Sequence, residues 1–197
     1  MPHGGSPRIV ISGIGVVSPF GVGRERYWDH VTRGCSGTRA ITEFDASDFA
    51  CRVAAPVTGV TIDDVPSMGG DDIWDEAYRA DPKRYSRTAL IGVIAAREAW
   101  ADAGLQIAEP NAGVVIGSGG GGIDVGERNY HDFFLERGKK VSPYAIPVSI
   151  VGMLSSEISI SLRLRGVSHV LSCGCTSSTD AMGYAAGLLR SDRKSVV

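Results

Sequence analysis

The sequence predicts an α/β fold in which a mixed sheet is flanked by helices. Three observations lead there. Short apolar runs alternate along the chain with stretches of helical period. Glycine stands where a helix should stop, as at Gly34, Gly104 and Gly166. Glycine also makes up 26 of the 197 residues and clusters in "SMGG" and "GSGGGG", which mark tight backbone points.

In chain order, "RIVISGIGVVSPFG" (8–21) reads as a buried strand ending in a Gly/Pro turn. "GRERYWDHVTRG" fits a short helix with Tyr27, Trp28 and Val31 on one side. Irregular chain follows, then a short strand near 51–57. Residues 58–80 are polar and weakly periodic, which predicts a surface excursion with one helical turn. From Tyr85 to Ala103 the apolar residues Ala89, Val93, Ala96, Trp100 and Ala103 recur every three or four positions, the mark of an amphipathic helix with Trp100 in its core face. "AGVVIGSGGGG" is a second buried strand feeding a glycine loop, and "ERNYHDFFLERG" a short amphipathic helix. "IPVSIVGMLSSEISISLRLRG" reads as one long helix, with Ile150, Leu154, Ile158 and Leu162 in line and Gly166 as its stop. "VSHVLSC" is a strand, Thr176 to Arg190 a helix, and "SDRKSVV" resembles the opening of one more strand. A sheet that ends there reads as cut rather than finished.

Composition bounds the function. Hydrophobic residues are 43% and charged residues 21%, an ordinary globular balance. A formal net charge of −2 gives no basic footprint for nucleic acid or anionic membrane. No apolar run approaches the roughly 18 residues that span a bilayer. The N-terminus lacks the pattern of an export signal, so a cytoplasmic location is expected. Cys35, Cys51, Cys173 and Cys175 do not suggest a disulfide framework in a chain of this kind. The four histidines are scattered, and no zinc-ligand spacing is present.

The chemistry concentrates in "VLSCGCTSSTDAMGYAAGLLR", where a strand hands over to a helix. A thiol at that point faces the unpaired N–H groups of the first helical turn, which with the helix dipole favour an anion. Gly174 permits a sharp turn, and Ser177, Ser178 and Ala181 are small enough to admit a substrate arm. Cys175 is therefore a candidate for covalent catalysis by a thiolate. The same residues also fit a pair of buried structural cysteines, or a CxC metal or redox pair.

Six segments in order, "RIVISGIGVVSPFG", "ITEFDASDF", "AAREAWADAGL", "GVVIGSGGGG", "VSPYAIP" and "CTSSTDAMGYAAGLLR", make the chain resemble the β-ketoacyl-[acyl-carrier-protein] synthases of fatty acid and polyketide synthesis. The resemblance implies a thiolase-like layered fold, of which residues 1–197 would be the N-terminal half and a single domain, with the C-terminal half absent. It places the family's nucleophile on Cys175. That thiol would take an acyl group from the phosphopantetheine arm of an acyl carrier protein, and decarboxylation of malonyl-carrier protein would supply the carbanion that extends it. The Cys175 N–H would form half of an oxyanion hole. No further cofactor is implied. The loop at Gly119, Gly120 and Gly121 would border the acyl pocket, and Gly120 stands where several members carry a bulky gate. The family is usually homodimeric, which implies pairing through 167–173.

Three departures accompany the resemblance. The family's catalytic histidines, lysine and gating phenylalanine belong to a second half, and none of His3, His30, His131 or His169 lies in a matching motif. Cys173 stands where a small hydroxyl is usual. The elbow is closer to polyketide ketosynthases, whereas "GSGGGG" and "VSPYAIP" lean toward the fatty-acid type. A rival reading makes the chain a noncatalytic acyl- or carrier-binding module or a truncated product. Asp180 is expected to complement the helix N-terminus or pair across a dimer, His169 to be structural, and Lys139 and Lys140 to be a solvated loop.

Overall fold

The computed structural model describes residues 8–68, 73–105, 111–135 and 141–191. Strands β1 (Val17–Ser18) and β2 (Gly21–Val22) form a tight antiparallel pair, followed by helix α1 (Arg24–Thr32). Strand β3 (Arg39–Ala40) pairs antiparallel with β4 (Val53–Ala54). Helices α2 (Ile73–Ala80) and α3 (Arg87–Asp102) come next, then β5 (Val114–Gly117). Helices α4 (Ile123–Leu135), α5 (Ala145–Ser149) and α6 (Met153–Leu162) connect β5 to β6 (Ser168–Leu171), which lies parallel to it, and α7 (Ser177–Arg190) follows. Helices α6 and α7 both pack on the β5–β6 pair, and α3 packs on α6, giving the layers that the alternation of elements predicts.

Helix α3 organises the core, and its ends are set locally. Ser86 caps it: its hydroxyl accepts the Ala89 N–H at 3.1 Å. At the other end Gly104 adopts φ +67°, and the N–H groups of Gly104 and Leu105 donate to the Ala101 and Trp100 carbonyls at 3.0 and 3.3 Å, closing a Schellman motif. Leu90, Val93, Ile94 and Trp100 are buried and join Ile158 and Leu162 of α6 in one cluster. Fully buried Arg97 lies on α3 as well. Its Nε donates to Ser161 Oγ at 2.6 Å and its Nη1 to Asp75 Oδ1 at 3.2 Å, so the charge enters the core already partnered.

Three expectations are corrected. The run 8–21 is not a buried strand: within it only Val17–Ser18 and Gly21 are paired, in a two-residue hairpin ladder, and Val10, Ile11 and Ile14 are exposed. The cause lies on α3. The N–H groups of Ile14 and Val16 donate to Asp102 Oδ2 and Glu98 Oε2 at 3.0 and 2.8 Å, so they are spent on carboxylates rather than on a ladder. Glu98 also accepts the Arg24 N–H at 2.8 Å, and Arg24 pairs with Asp102. The segment approaches so closely that a Cβ on Gly15 would lie 1.9 Å from the Ala95 carbonyl oxygen. Second, 58–80 is no surface excursion. Helix α2 turns Trp74 inward, 1% exposed, where its indole N–H donates to the buried carboxylate of Glu157. Third, the long helix is two. Ile150 takes ψ 145° and separates α5 from α6, and α6 ends at left-handed Arg163 (φ 55°) rather than at Gly166. The expected short helix forms as α1; it buries none of its residues, and the Tyr27–Trp28 side lines an open groove of about 530 Å³ with Ile14 and Val16. Helix α4 likewise buries Val125 but exposes Tyr130, Phe133 and Phe134. Lys139, Lys140 and residues 192–197 lie outside the described residues.

Two outcomes test this packing. Gly15→Ala must push the segment off α3, and a loss of about 1–3 kcal/mol in urea unfolding is expected; an unchanged midpoint would contradict the close approach. Burial pushes the Glu157 carboxyl above its usual range, with the Trp74 N–H and the Arg84 charge drawing it partly back. The folded state then holds a proton that the unfolded chain has already released, so stability falls as pH rises through the raised value. Glu157→Gln keeps an acceptor for Trp74 and removes the titration. Its stability between about pH 5 and about pH 8 should lose that decline; parallel wild-type and variant curves would sink the assignment.

Candidate functional site

The parallel register places two sequence-predicted site segments side by side. Gly117 of β5 is opposite Leu171 of β6, so the glycine loop and the Cys-Gly-Cys turn leave from the same end of neighbouring strands. That end is the carboxyl end, where ligands of open α/β sheets bind. The Ser118 N–H donates across to the Leu171 carbonyl at 3.1 Å and extends the ladder by one step. A Cβ on Gly117 would lie 2.3 Å from the carbonyl carbon and oxygen of Ser177 and from the Ser178 nitrogen. Only a residue without a side chain lets the first turn of α7 settle onto the strand end.

The elbow itself is a 3₁₀ turn over Gly174–Thr176 that runs directly into α7. Gly174 carries φ +72°, the left-handed conformation that glycine adopts without cost. Ser177, 3% exposed, clamps this turn: its Oγ accepts the Cys173 N–H at 2.9 Å and donates to the Gly174 carbonyl at 2.6 Å. Thr176 Oγ1 lies 3.2 Å from the Cys173 carbonyl and 2.9 Å from Asp180 Oδ2. Asp180 thus sits in the first turn of α7 beside the N–H groups that an anion would meet, as its sequence position suggests.

Cys175 lies in the turn, between the end of β6 and the start of α7, and is exposed. Cys173 is exposed as well, which removes the reading of a buried structural pair. In the sequence Ser177 reads only as a small residue; its role as a clamp depends on hydrogen bonds inside the turn. A serine at the first position of a helix, after a glycine turn, is the signal that points to it. The three loop glycines divide. Gly119 and Gly120 face open space, with no atom within 4 Å of an added Cβ. A Cβ on Gly121 would instead meet the Ile150–Val151 backbone at 2.6 Å, so this glycine admits the break between α5 and α6. His169 lies on the exposed start of β6, its ring tilted 33° to that of Tyr184 at 5.6 Å between ring centres. Among the described residues, no cluster of three metal-ligating side chains occurs, and no helix is long and apolar enough to cross a membrane.

Residues 6–197 match the family model described as β-ketoacyl synthase, N-terminal domain. The chain is 37% identical over 188 residues to 3-oxoacyl-[acyl-carrier-protein] synthase 2 of Coxiella burnetii, covering 92% of this chain and 42% of that protein. It is 34% identical over 186 residues to the protein of the same name from Vibrio harveyi, with the same coverage. It therefore spans well under half the length of these relatives. Among solved structures, the ishigamide ketosynthase/chain length factor superposes with TM-score 0.77 at 24% identity, over 92% of this chain and 44% of the other. A β-ketoacyl synthase from Burkholderia phymatum STM815 gives 0.72 at 24% identity, over 95% and 44%. The polyketide ketosynthase AntDE, solved with its acyl-carrier protein AntF, gives 0.66 at 17% identity, over 94% and 47%. These likenesses establish a thiolase-like ketosynthase fold, and the matched residues establish that the chain belongs to the β-ketoacyl synthase family, of which it carries the N-terminal domain.

Proposed function

We propose that the chain is the nucleophile-bearing part of a 3-oxoacyl-[acyl-carrier-protein] synthase and that Cys175 is its acyl acceptor. The observation that carries this reading is the placement of an exposed thiol in the turn between β6 and α7, at the carboxyl ends of two parallel strands.

The chemistry follows from that placement. The Cys175 sulfur, as thiolate, attacks the carbonyl carbon of an acyl thioester carried on phosphopantetheine. A carbon–sulfur bond forms, negative charge collects on the carbonyl oxygen, and backbone N–H groups at the turn stabilise it. Donors of this kind are worth roughly 3–4 kcal/mol in other enzymes. The carrier's sulfur leaves, and the acyl group remains on Cys175. A malonyl-carrier thioester then releases carbon dioxide, and the resulting carbanion attacks the acyl carbonyl. The carbon–sulfur bond to Cys175 breaks, which frees the thiolate and yields a β-ketoacyl product. Ser177 and Gly174 hold the turn in place through both halves of the cycle. The open space beside Gly119 and Gly120 suits an acyl chain not blocked at that point.

The carrier is an acyl carrier protein on this reading, and the assembly is a cytoplasmic homodimer joined through 167–173. Strand β6 supports the latter: its start is exposed, and among the described residues it pairs only with β5.

Acylation isolates the first half-reaction. Incubated with an acyl-pantetheine thioester, the 197-residue chain should gain one acyl group on Cys175, seen by peptide mass spectrometry. Cys175→Ala should lose the adduct, and Cys35→Ser/Cys51→Ser should keep it. Cys35 and Cys51 are exposed too, so access alone does not distinguish the thiols, and equal labelling of all three would overturn the reading. Condensation with malonyl-carrier protein is not expected from these 197 residues alone, because no histidine here matches the family's catalytic motifs.

A further inference from the structure

We propose that Cys173 is a resolving thiol for Cys175, which makes the Cys-Gly-Cys turn a reversible, peroxide-sensitive modification site. Two exposed thiols separated by a single residue lie at one turn, Cys173 at its start and Cys175 within it. The intervening residue is Gly174 at φ +72°, which bends the backbone sharply between them and carries no side chain to keep them apart. Ser177 holds both ends of this bend, binding the Cys173 N–H and the Gly174 carbonyl. The Cys173 backbone is therefore held at the elbow. Cys175 adjoins the first turn of α7 and is exposed, so peroxide can reach its sulfur, and a thiol reacts with peroxide as the thiolate.

The reaction balances with hydrogen peroxide as oxidant. The Cys175 thiolate attacks one peroxide oxygen: a sulfur–oxygen bond forms, the oxygen–oxygen bond breaks, and the departing hydroxide takes a proton to become water. Sulfur is oxidised to sulfenic acid by the electron pair that reduces the peroxide. The Cys173 sulfur then attacks the sulfenyl sulfur. A sulfur–sulfur bond forms, the sulfur–oxygen bond breaks, and the hydroxyl leaves as water with the Cys173 proton. A disulfide across one residue closes a small strained ring, and strained disulfides are the readily reduced ones. The linkage shields the Cys175 sulfur from irreversible sulfinic acid and withdraws it from acyl transfer. This last consequence rests on the acyl-acceptor reading; the linkage itself does not.

The test uses the 197-residue chain carrying Cys35→Ser and Cys51→Ser, so that Cys173 and Cys175 are its remaining thiols. After limiting hydrogen peroxide, peptide mass spectrometry should show the loss of two hydrogens within the single peptide that holds both cysteines. Dithiothreitol should restore the mass and the reaction of Cys175 with iodoacetamide. In the further variants Cys173→Ser and Cys173→Ala, Cys175 should instead pass to sulfinic acid that dithiothreitol does not reverse. Sulfinic acid accumulating equally with and without Cys173, or disulfides formed only between chains, would overturn the proposal. Acylation measured on the same chain before peroxide and again after dithiothreitol keeps the two readings apart. A linkage that forms in a chain that accepts no acyl group defeats the acyl-acceptor reading alone, and acylation without the linkage defeats this one.

Discussion

The contact between Gly117 and the first turn of α7 is the constraint on which the site depends. Strand β5 ends where the Ser177–Ser178 backbone would come within 2.3 Å of a Cβ, so any side chain at position 117 must displace the helix start. The parallel register then sets where the chain leaves the sheet. Gly117 and Leu171 are opposite each other, and the backbone after each turns away from the same edge. One exit becomes the glycine loop, the other the Cys-Gly-Cys elbow. Moving the helix start would move Cys175, because only Thr176 separates that residue from α7.

The elbow is held by short-range polar contacts rather than by burial. Cys173, Gly174, Cys175 and Thr176 are all exposed, while Ser177 is buried beneath them and uses one hydroxyl as both acceptor and donor. This division suits a reactive turn: the supporting side chain is fixed in the packed layer, and the reacting sulfur stays accessible. The layer below is anchored in turn by α3 and α6, where Arg97, Asp75 and Ser161 satisfy one another and Trp74 satisfies Glu157. Polar groups in this core are partnered across elements, so they specify how α2, α3 and α6 meet as well as filling space.

What the sequence shows and what it hides divide by range. Helix α3 is legible because period, cap and Schellman glycine all lie within one short stretch. The elbow is legible for the same reason: strand, glycine and helix start are adjacent at 168–177. The features that local pattern misplaces depend on distant partners. The apolar run 8–16 has the composition of a strand, but its N–H groups go to Glu98 and Asp102, which neighbouring residues do not reveal. Trp74 lies in a polar stretch and reads as surface until α6 brings Glu157 to it. The single helix read over 146–166 has an unbroken apolar stripe, yet it yields at Ile150, where Gly121 lies against the backbone. Gly120 and Gly121 are identical in sequence context, and only packing separates an open position from a filled one.

The most direct test compares the rate of acyl transfer to Cys175 in Gly117→Ala and Gly119→Ala, with circular dichroism confirming that both remain folded. Both glycines belong to the same strand–loop junction, but a methyl group at 117 strikes the start of α7, while one at 119 meets nothing. The expected result is a large loss of acylation rate for Gly117→Ala and a near-wild-type rate for Gly119→Ala. Equal rates in the two folded variants would contradict the claim that the approach of β5 to α7 positions the thiol.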